Sequence, residues 1–347
     1  MHDETPQPEP AVQDSPVVLD PYHASEQPSE PVAPKPMWKR VLGWSKWFVS
    51  AGLVWFVLSQ TDVREVKSAL LDAEPLYLLA AFSLIFVGLV IGAFRWRWLL
   101  AANGVKASLP FLIGSGCVAS FVRLALPSTI GGDAVRVYDS WRAGASKSIA
   151  LATIGVDRLL GLFALVLVAC GAMFYNPKIA EIPGAKLIAI TVALGMLCVI
   201  SWIFFIGKPP PAPIMKLWNL GPKPLRRPFE KLFAALGSFH GHHAVLVKVF
   251  TMGLLLQMNV IAFYWLIARG LGLEITFVQM LAAAPIAIFV MMVPLTINGI
   301  GIRESIWIVL LGVYQFDKAD AIALSWIELG LFVTFGLLGG LVYAARK

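Results

Sequence analysis

Two stretches decide how this chain is read: Pro127-Ser128-Thr129-Ile130-Gly131-Gly132-Asp133-Ala134-Val135-Arg136 and Pro294-Leu295-Thr296-Ile297-Asn298-Gly299-Ile300-Gly301-Ile302-Arg303. They align without a gap, five of ten positions are identical, and Val135 against Ile302 is a conservative sixth match. Each sits at the break of an otherwise apolar stretch, about 108–140 and about 276–314. Proline removes a backbone donor and glycine loosens the helix, so each stretch reads as helix, irregular turn, helix.

Around these breaks the chain is strongly apolar: 347 residues, 58% hydrophobic and only 14% charged, with a mean hydropathy of +0.75. Lipid is the natural solvent for such a composition. Continuous apolar runs at about 41–60, 76–100, 148–174, 187–207, 245–268 and 320–345 approach or exceed the roughly 20 residues a helix needs to cross a bilayer. They do not alternate apolar with polar, which excludes a membrane β-barrel. Residues 1–37 differ in kind, being rich in proline and acidic residues and poor in aromatics, and are expected to form a disordered tail ahead of a membrane domain spanning 38–347.

The distribution of lysine and arginine chooses between topologies. If both broken stretches dip into the membrane and return, Lys39, Arg40, Arg95, Arg97, Lys106, Arg142, Lys147, the loop from Lys208 to Lys231, and Arg346-Lys347 share one side. By the positive-inside rule that side is the cytoplasm. The expected fold is therefore an all-α integral membrane protein, a polytopic bundle of about six full spans plus two re-entrant helical hairpins in inverted repeats, with both termini cytoplasmic. Inverted repeats with broken helices at mid-membrane are a transporter architecture.

Arg123, Asp133, Arg136, Asp157, Arg158, Arg303, Glu304 and Glu328 fall within the membrane body. An isolated charge there costs roughly 2.5 to 3.5 kcal/mol, so these groups must face one another or a wet cavity. Four basic and four acidic groups balance, and one reading is a closed network of structural ion pairs. The other is an anion trap: each turn sets glycine-bearing backbone, an arginine and the start of a half-helix side by side. Thr129, Gly131, Gly132, Thr296, Asn298 and Gly299 then belong to the substrate path, and an incoming anion displaces a resident carboxylate such as Asp133 or Glu304. Glu328 reads either as a proton-titrating site or as the partner of Arg158 or Arg303, the partner role being favoured.

Other features read as membrane anchoring or packing. Arg95-Trp96-Arg97-Trp98 looks like an interfacial belt, and the basic stretch 223–243, with Trp218, Phe229 and Phe233, is expected to rest on anionic lipid. Asp72 and Glu74, just before Pro75, are expected to cap the second span. Cys117, Cys170 and Cys198 lie inside apolar runs and form no Cys-x-x-Cys pair, and the His240, His242, His243 cluster does not amount to a zinc site, so no metal or other cofactor is expected. No nucleotide-binding motif is present, and nucleic acid is not an expected partner.

The Arg95-Trp96-Arg97 triplet, the two ten-residue motifs and Val156-Asp157-Arg158 together resemble the lysylphosphatidylglycerol synthase transmembrane, or flippase-like, family over about 40–345. The resemblance implies handling or translocation of a lipid headgroup, with the hairpin motifs on the substrate path. The full synthases carry a soluble lysyl-transferase domain after the membrane part, so lysyl transfer is not expected of this chain. Many relatives have a basic residue where Thr129 stands, which bears on headgroup preference. The leading expectation is a flippase for an anionic phospholipid or polyprenyl phosphate in a bacterial inner membrane, with no catalytic residues. The alternatives are a membrane-embedded lipid or glycolipid transferase, and a non-transporting partner of other membrane enzymes.

Overall fold

The computed structural model describes residues 63–125, 130–175, 185–201, 237–292 and 301–345. All belong to one compact unit, Trp44–Lys347. The expected tail, the run at 41–60, the turn residues Thr129, Thr296, Asn298 and Gly299, and Trp218, Phe229 and Phe233 lie outside the described residues.

Among the described residues ten α-helices follow in order: α1 (Val63–Leu71), α2 (Pro75–Ala102), α3 (Leu109–Ala125), α4 (Ile130–Arg142), α5 (Lys147–Tyr175), α6 (Ala185–Ser201), α7 (His243–Gly270), α8 (Phe277–Met291), α9 (Ile302–Gly312) and α10 (Lys318–Ala345). Of these, α2, α5, α7 and α10 are long and apolar enough to cross a membrane. This is a multi-pass, all-helical membrane protein. Leu76, Leu79, Phe86 and Val87 on α2, Leu187, Ile190, Leu194 and Leu197 on α6, and Leu337, Leu338 and Leu341 on α10 are exposed. Apolar surface on that scale needs lipid against it.

The helix boundaries have local causes. Pro75 starts α2, where its missing N–H is no loss. The Glu74 side chain makes no cap, contrary to expectation; its backbone N–H donates to the Gly270 carbonyl at 2.7 Å. Helix α2 ends on Gly104 (φ +76°), with Val105 N–H donating to Leu100 O at 3.1 Å; α7 ends identically on Gly272 (φ +75°), with Leu273 N–H donating to Ala268 O at 3.0 Å. Such left-handed caps favour glycine because no Cβ meets the preceding carbonyl. Thr276 opens α8 with a capping box, its Oγ accepting from Gln279 N–H at 3.3 Å while Gln279 Oε1 accepts from Thr276 N–H at 2.8 Å.

Several helix contacts come in matching pairs. Helix α2 lies along α7; α3 meets α10 as α8 meets α5; α3 with α4 corresponds to α8 with α9, and α4 with α5 to α9 with α10. The contacts α2 with α3 and α2 with α5 have counterparts in α7 with α8 and α7 with α10. The α3–α10 contact is close because α10 carries Gly336, Gly339 and Gly340, where added Cβ atoms would strike Leu124, the Cys117 carbonyl and Phe121. Small residues let helix backbones approach where lipid offers no hydrophobic drive.

The apolar core lies mainly between α7, α8, α9 and α10, around Ile261, Ile267, Met280, Trp307 and Leu324. A second cluster, with Trp96, Leu100, Leu112 and Ile154, ties α2, α3 and α5 together.

Candidate functional site

Asp157 and Glu328 are each ten residues into a helix of 29 and 28 residues respectively, α5 and α10. At 1.5 Å per residue that is about 15 Å, half the thickness of a typical hydrocarbon core. Two carboxylates at that depth require compensation, and the neighbouring elements supply it differently.

Asp157 is a hub for three helices. Arg95 of α2 reaches Asp157 Oδ1 at 2.7 Å and donates to the Asp157 backbone carbonyl at 2.7 Å. Arg136 of α4 reaches Oδ2 at 3.1 Å. The Arg136 guanidinium also lies 4.8 Å from the centre of the Trp96 ring, a cation–π contact strengthened by desolvation. Trp96 is itself fixed, donating from Nε1 to Ser140 Oγ at 3.0 Å. One turn beyond Asp157, Gly161 leaves room for Arg95, since a Cβ there would be 3.3 Å from Arg95 Nη2.

Next in the chain, Arg158 points to a different acid. Its Nε and Nη2 donate to Asp133 Oδ2 and Oδ1 at 3.1 and 2.9 Å, a bidentate pair between α5 and α4. This pair is open, with Arg158 41% and Asp133 24% exposed, against 4% and 9% for Arg95 and Asp157. Arg123, also exposed, lies against Gly132, whose missing side chain leaves room for the guanidinium and for the Ala119 carbonyl.

A second ion pair, built from other side chains, joins α9 and α10. Arg303 of α9 faces Glu328 of α10, Nε to Oε1 at 3.7 Å. Tyr264 of α7 donates its hydroxyl to the same Oε1 at 2.8 Å and packs on Trp307 with ring centres 4.9 Å apart. Arg136 and Arg303 are the final arginines of the two motifs. Asp157 and Glu328 each follow by thirteen residues the positive-φ residue after α4 or α9, Gly144 and Gln315. Trp96 and Tyr264 each precede by eight residues the glycine capping their helix. The two ion pairs thus stand at matching distances from these helix ends.

Between them lies a cavity of about 610 Å³, within the range of ligand sites. Arg95, Arg123, Arg136, Arg158 and Arg303 line it with Asp157 and Glu328, and its remaining wall is largely apolar, including Leu89, Phe263, Phe332 and Phe335. Gln257 and Asn259 also face it, each donating its amide to a backbone carbonyl, of Gly161 and Leu84.

Of the residues expected from the sequence, Arg123, Arg136, Asp157, Arg158, Arg303 and Glu328 meet at this cavity, with Asp133 bound to Arg158 beside it. Gly131 and Gly132 are buried in the first turn of α4. Glu304 Oε2 accepts from Gly301 N–H at 2.6 Å, closing the start of α9 with the protein's own carboxylate. The α9 N-terminus is therefore already occupied by a negative group, and Asp133 stands in the first turn of α4. Arg95 and Trp96 are no interfacial belt, being 3% and 1% exposed, and only Arg97 of the triplet's arginines faces outward. With Arg95 present the charges are not balanced: among the described residues five arginines stand against Asp133, Asp157, Glu304 and Glu328. Trp96, Tyr264, Gln257 and Asn259 escape a reading of the sequence because polar and aromatic residues in an apolar helix give no sign of the direction they face. Arg95 does give a sign, since it lies about 10 Å inside the end of α2, too deep for a headgroup anchor.

No curated protein matches the chain. The family model described as the lysylphosphatidylglycerol synthase TM region matches residues 44–339, which include both motifs and every charged group of the site. The chain belongs to the lysylphosphatidylglycerol synthase transmembrane-region family.

Proposed function

We propose that this protein moves an anionic lipid headgroup across a bacterial inner membrane, the acyl or prenyl tails remaining in the bilayer. The observation that carries this reading is the mid-membrane cavity with an excess of arginine and a largely apolar wall. Guanidinium groups bind phosphate oxygens through paired hydrogen bonds, and Arg158 and Arg123 offer an exposed first contact ahead of the more enclosed Arg136 and Arg303.

The transport cycle follows from inverted repeats. Helices α3 and α8 have 17 and 15 residues, about 25 and 22 Å long, short of a 30 Å core. Each is followed by a shorter helix bearing the motif arginine, which favours hairpins that enter and return on the same side. The paired contacts and matched helix caps of the two halves support a duplication. With both termini cytoplasmic, rocking of one half against the other exposes Arg136 and Arg303 to opposite leaflets in turn.

The test is leaflet exchange of fluorescent phosphatidylglycerol, phosphatidic acid and phosphatidylcholine in proteoliposomes. The purified protein is expected to accelerate exchange of the two anionic lipids over phosphatidylcholine, and Arg136→Ala and Arg303→Ala to reduce it at least tenfold, about 1.4 kcal/mol of barrier. Exchange equal to empty vesicles for all three lipids defeats the proposal. Unchanged exchange in both variants would instead support a purely structural ion-pair network, for which the near-complete burial of Arg95 and Asp157 is the favouring observation.

A further inference from the structure

Equivalent carboxylates in the two halves are held unequally. Asp157 has two guanidinium partners, at 2.7 and 3.1 Å, one on each oxygen. Glu328 has Arg303 at 3.7 Å and a tyrosine hydroxyl at 2.8 Å, both on Oε1. The difference traces to single positions: where the first half has Arg95, nine residues before its capping glycine, the second has Phe263, and where the first has Trp96 the second has Tyr264.

The surroundings of Glu328 can be stated helix by helix. From α9 come Arg303 and, turned toward Gly301, the carboxylate of Glu304. Tyr264 comes from α7, and across the cavity stand Arg123 of α3, Arg136 of α4, and Asp157 and Arg158 of α5. Helix α1 meets α10 at Ala319 and Ile322, nearer its start. Glu328 itself is 2% exposed.

From this geometry we infer that Glu328 is a proton site coupled to the anion site: when a phosphate draws Arg303 away, Glu328 takes up a proton. The inference rests on the transport reading above. A buried carboxylate that loses its cationic partner keeps a large desolvation penalty and relieves it by protonation. Asp157 is spared, because an anion that engages Arg136 leaves Arg95 in place on the other oxygen. The proton comes from water reaching the cavity and sits on a Glu328 oxygen; when the anion leaves, Arg303 returns and the proton is released. Anion and proton therefore load together and travel in the same direction.

Proteoliposomes of phosphatidylcholine with a trace of fluorescent phosphatidylglycerol, under an imposed pH gradient, test this, with protein-free vesicles under the same gradient as baseline. The wild-type protein is expected to enrich the labelled lipid in the leaflet facing the alkaline side. Glu328→Gln is expected to lose the enrichment, whatever its rate of exchange, and Glu328→Asp to keep part of it. Calorimetry of short-chain phosphatidylglycerol binding in two buffers of different ionisation enthalpy gives the second reading, with about one proton taken up per lipid by the wild type and none by Glu328→Gln. A wild-type protein that equilibrates the lipid between leaflets without gradient-driven enrichment, and binds it without proton uptake, overturns the proton site and leaves the transport reading standing. Persistence of enrichment in Glu328→Gln also overturns it. No exchange above baseline removes both.

Discussion

Replacing Asp157 by asparagine should damage the fold far more than the same change at Asp133, although both acids bind arginine on neighbouring helices. Asp157→Asn would leave Arg95 and Arg136, which now reach the two carboxylate oxygens at 2.7 and 3.1 Å, without a counter-charge in a region where their own side chains are 4% and 15% exposed. Removing one member of a buried ion pair costs about 3 to 5 kcal/mol, mostly from the charge left behind. The Asp133–Arg158 pair has better geometry, being bidentate, but its arginine is 41% exposed and regains water when the acid is removed. Pairs of that kind are worth about 0 to 1 kcal/mol. The variants can be compared by reversible unfolding in mixed detergent micelles, following tryptophan fluorescence. A gap of at least about 2 kcal/mol between them is expected. Equal losses would refute the argument that burial, rather than hydrogen-bond geometry, sets the worth of these pairs. A further check is the double variant Arg95→Met with Asp157→Leu. It should recover only part of the loss, because an apolar pair replaces two of the charges while Arg136 still has to be accommodated.

Four other changes are read from local surroundings. Gly339→Ala should destabilise the α3–α10 contact by about 1 to 3 kcal/mol, because its new Cβ would strike the Cys117 carbonyl, which is backbone and cannot swing aside. Gly330→Ala on the same helix meets nothing within 4 Å and should be neutral in the same unfolding assay. Thr276→Ala removes one half of the α8 capping box and should cost about 1 kcal/mol. Trp96→Phe removes the indole donor to Ser140 and weakens the surface beneath Arg136; it should slow exchange of anionic lipid more than it lowers stability, read from the two assays on one preparation.

Much of this fold is legible in the sequence because membrane sequences state their constraints loudly. A run such as Pro75–Ala102 cannot be mistaken for a soluble helix, and proline with paired glycines at 127–132 has to interrupt a helix. The identity of the charged residues is legible for the same reason, since each is expensive in lipid. Their pairing is not. Asp133 and Arg136 lie three apart on one helix and read as partners, yet each bonds across to α5, in crossed fashion: Asp133 with Arg158, Arg136 with Asp157. Adjacent residues on a helix point about 100° apart, so Asp157 and Arg158 necessarily serve different clusters, and only the packing of α2 beside α5 says which. Glu304 carries a second signal: its position three residues after Gly301 is that of a group closing a helix start.

The two ion clusters differ chemically at the positions that the helix caps put in register. Arg95 lies against Gly161 in the first half, while at the matching positions Phe263 packs on Phe332 with ring centres 5.5 Å apart. One half thus holds its mid-membrane carboxylate with an extra guanidinium, and the other fills the same space with two rings and leaves its carboxylate to one arginine and a hydroxyl. On the proposed transport reading, unequal retention of the two acids makes the two half-cycles physically different: the first ion cluster keeps a buried pair when an anion engages Arg136, and the second gives up the guanidinium that faces Glu328 when an anion engages Arg303.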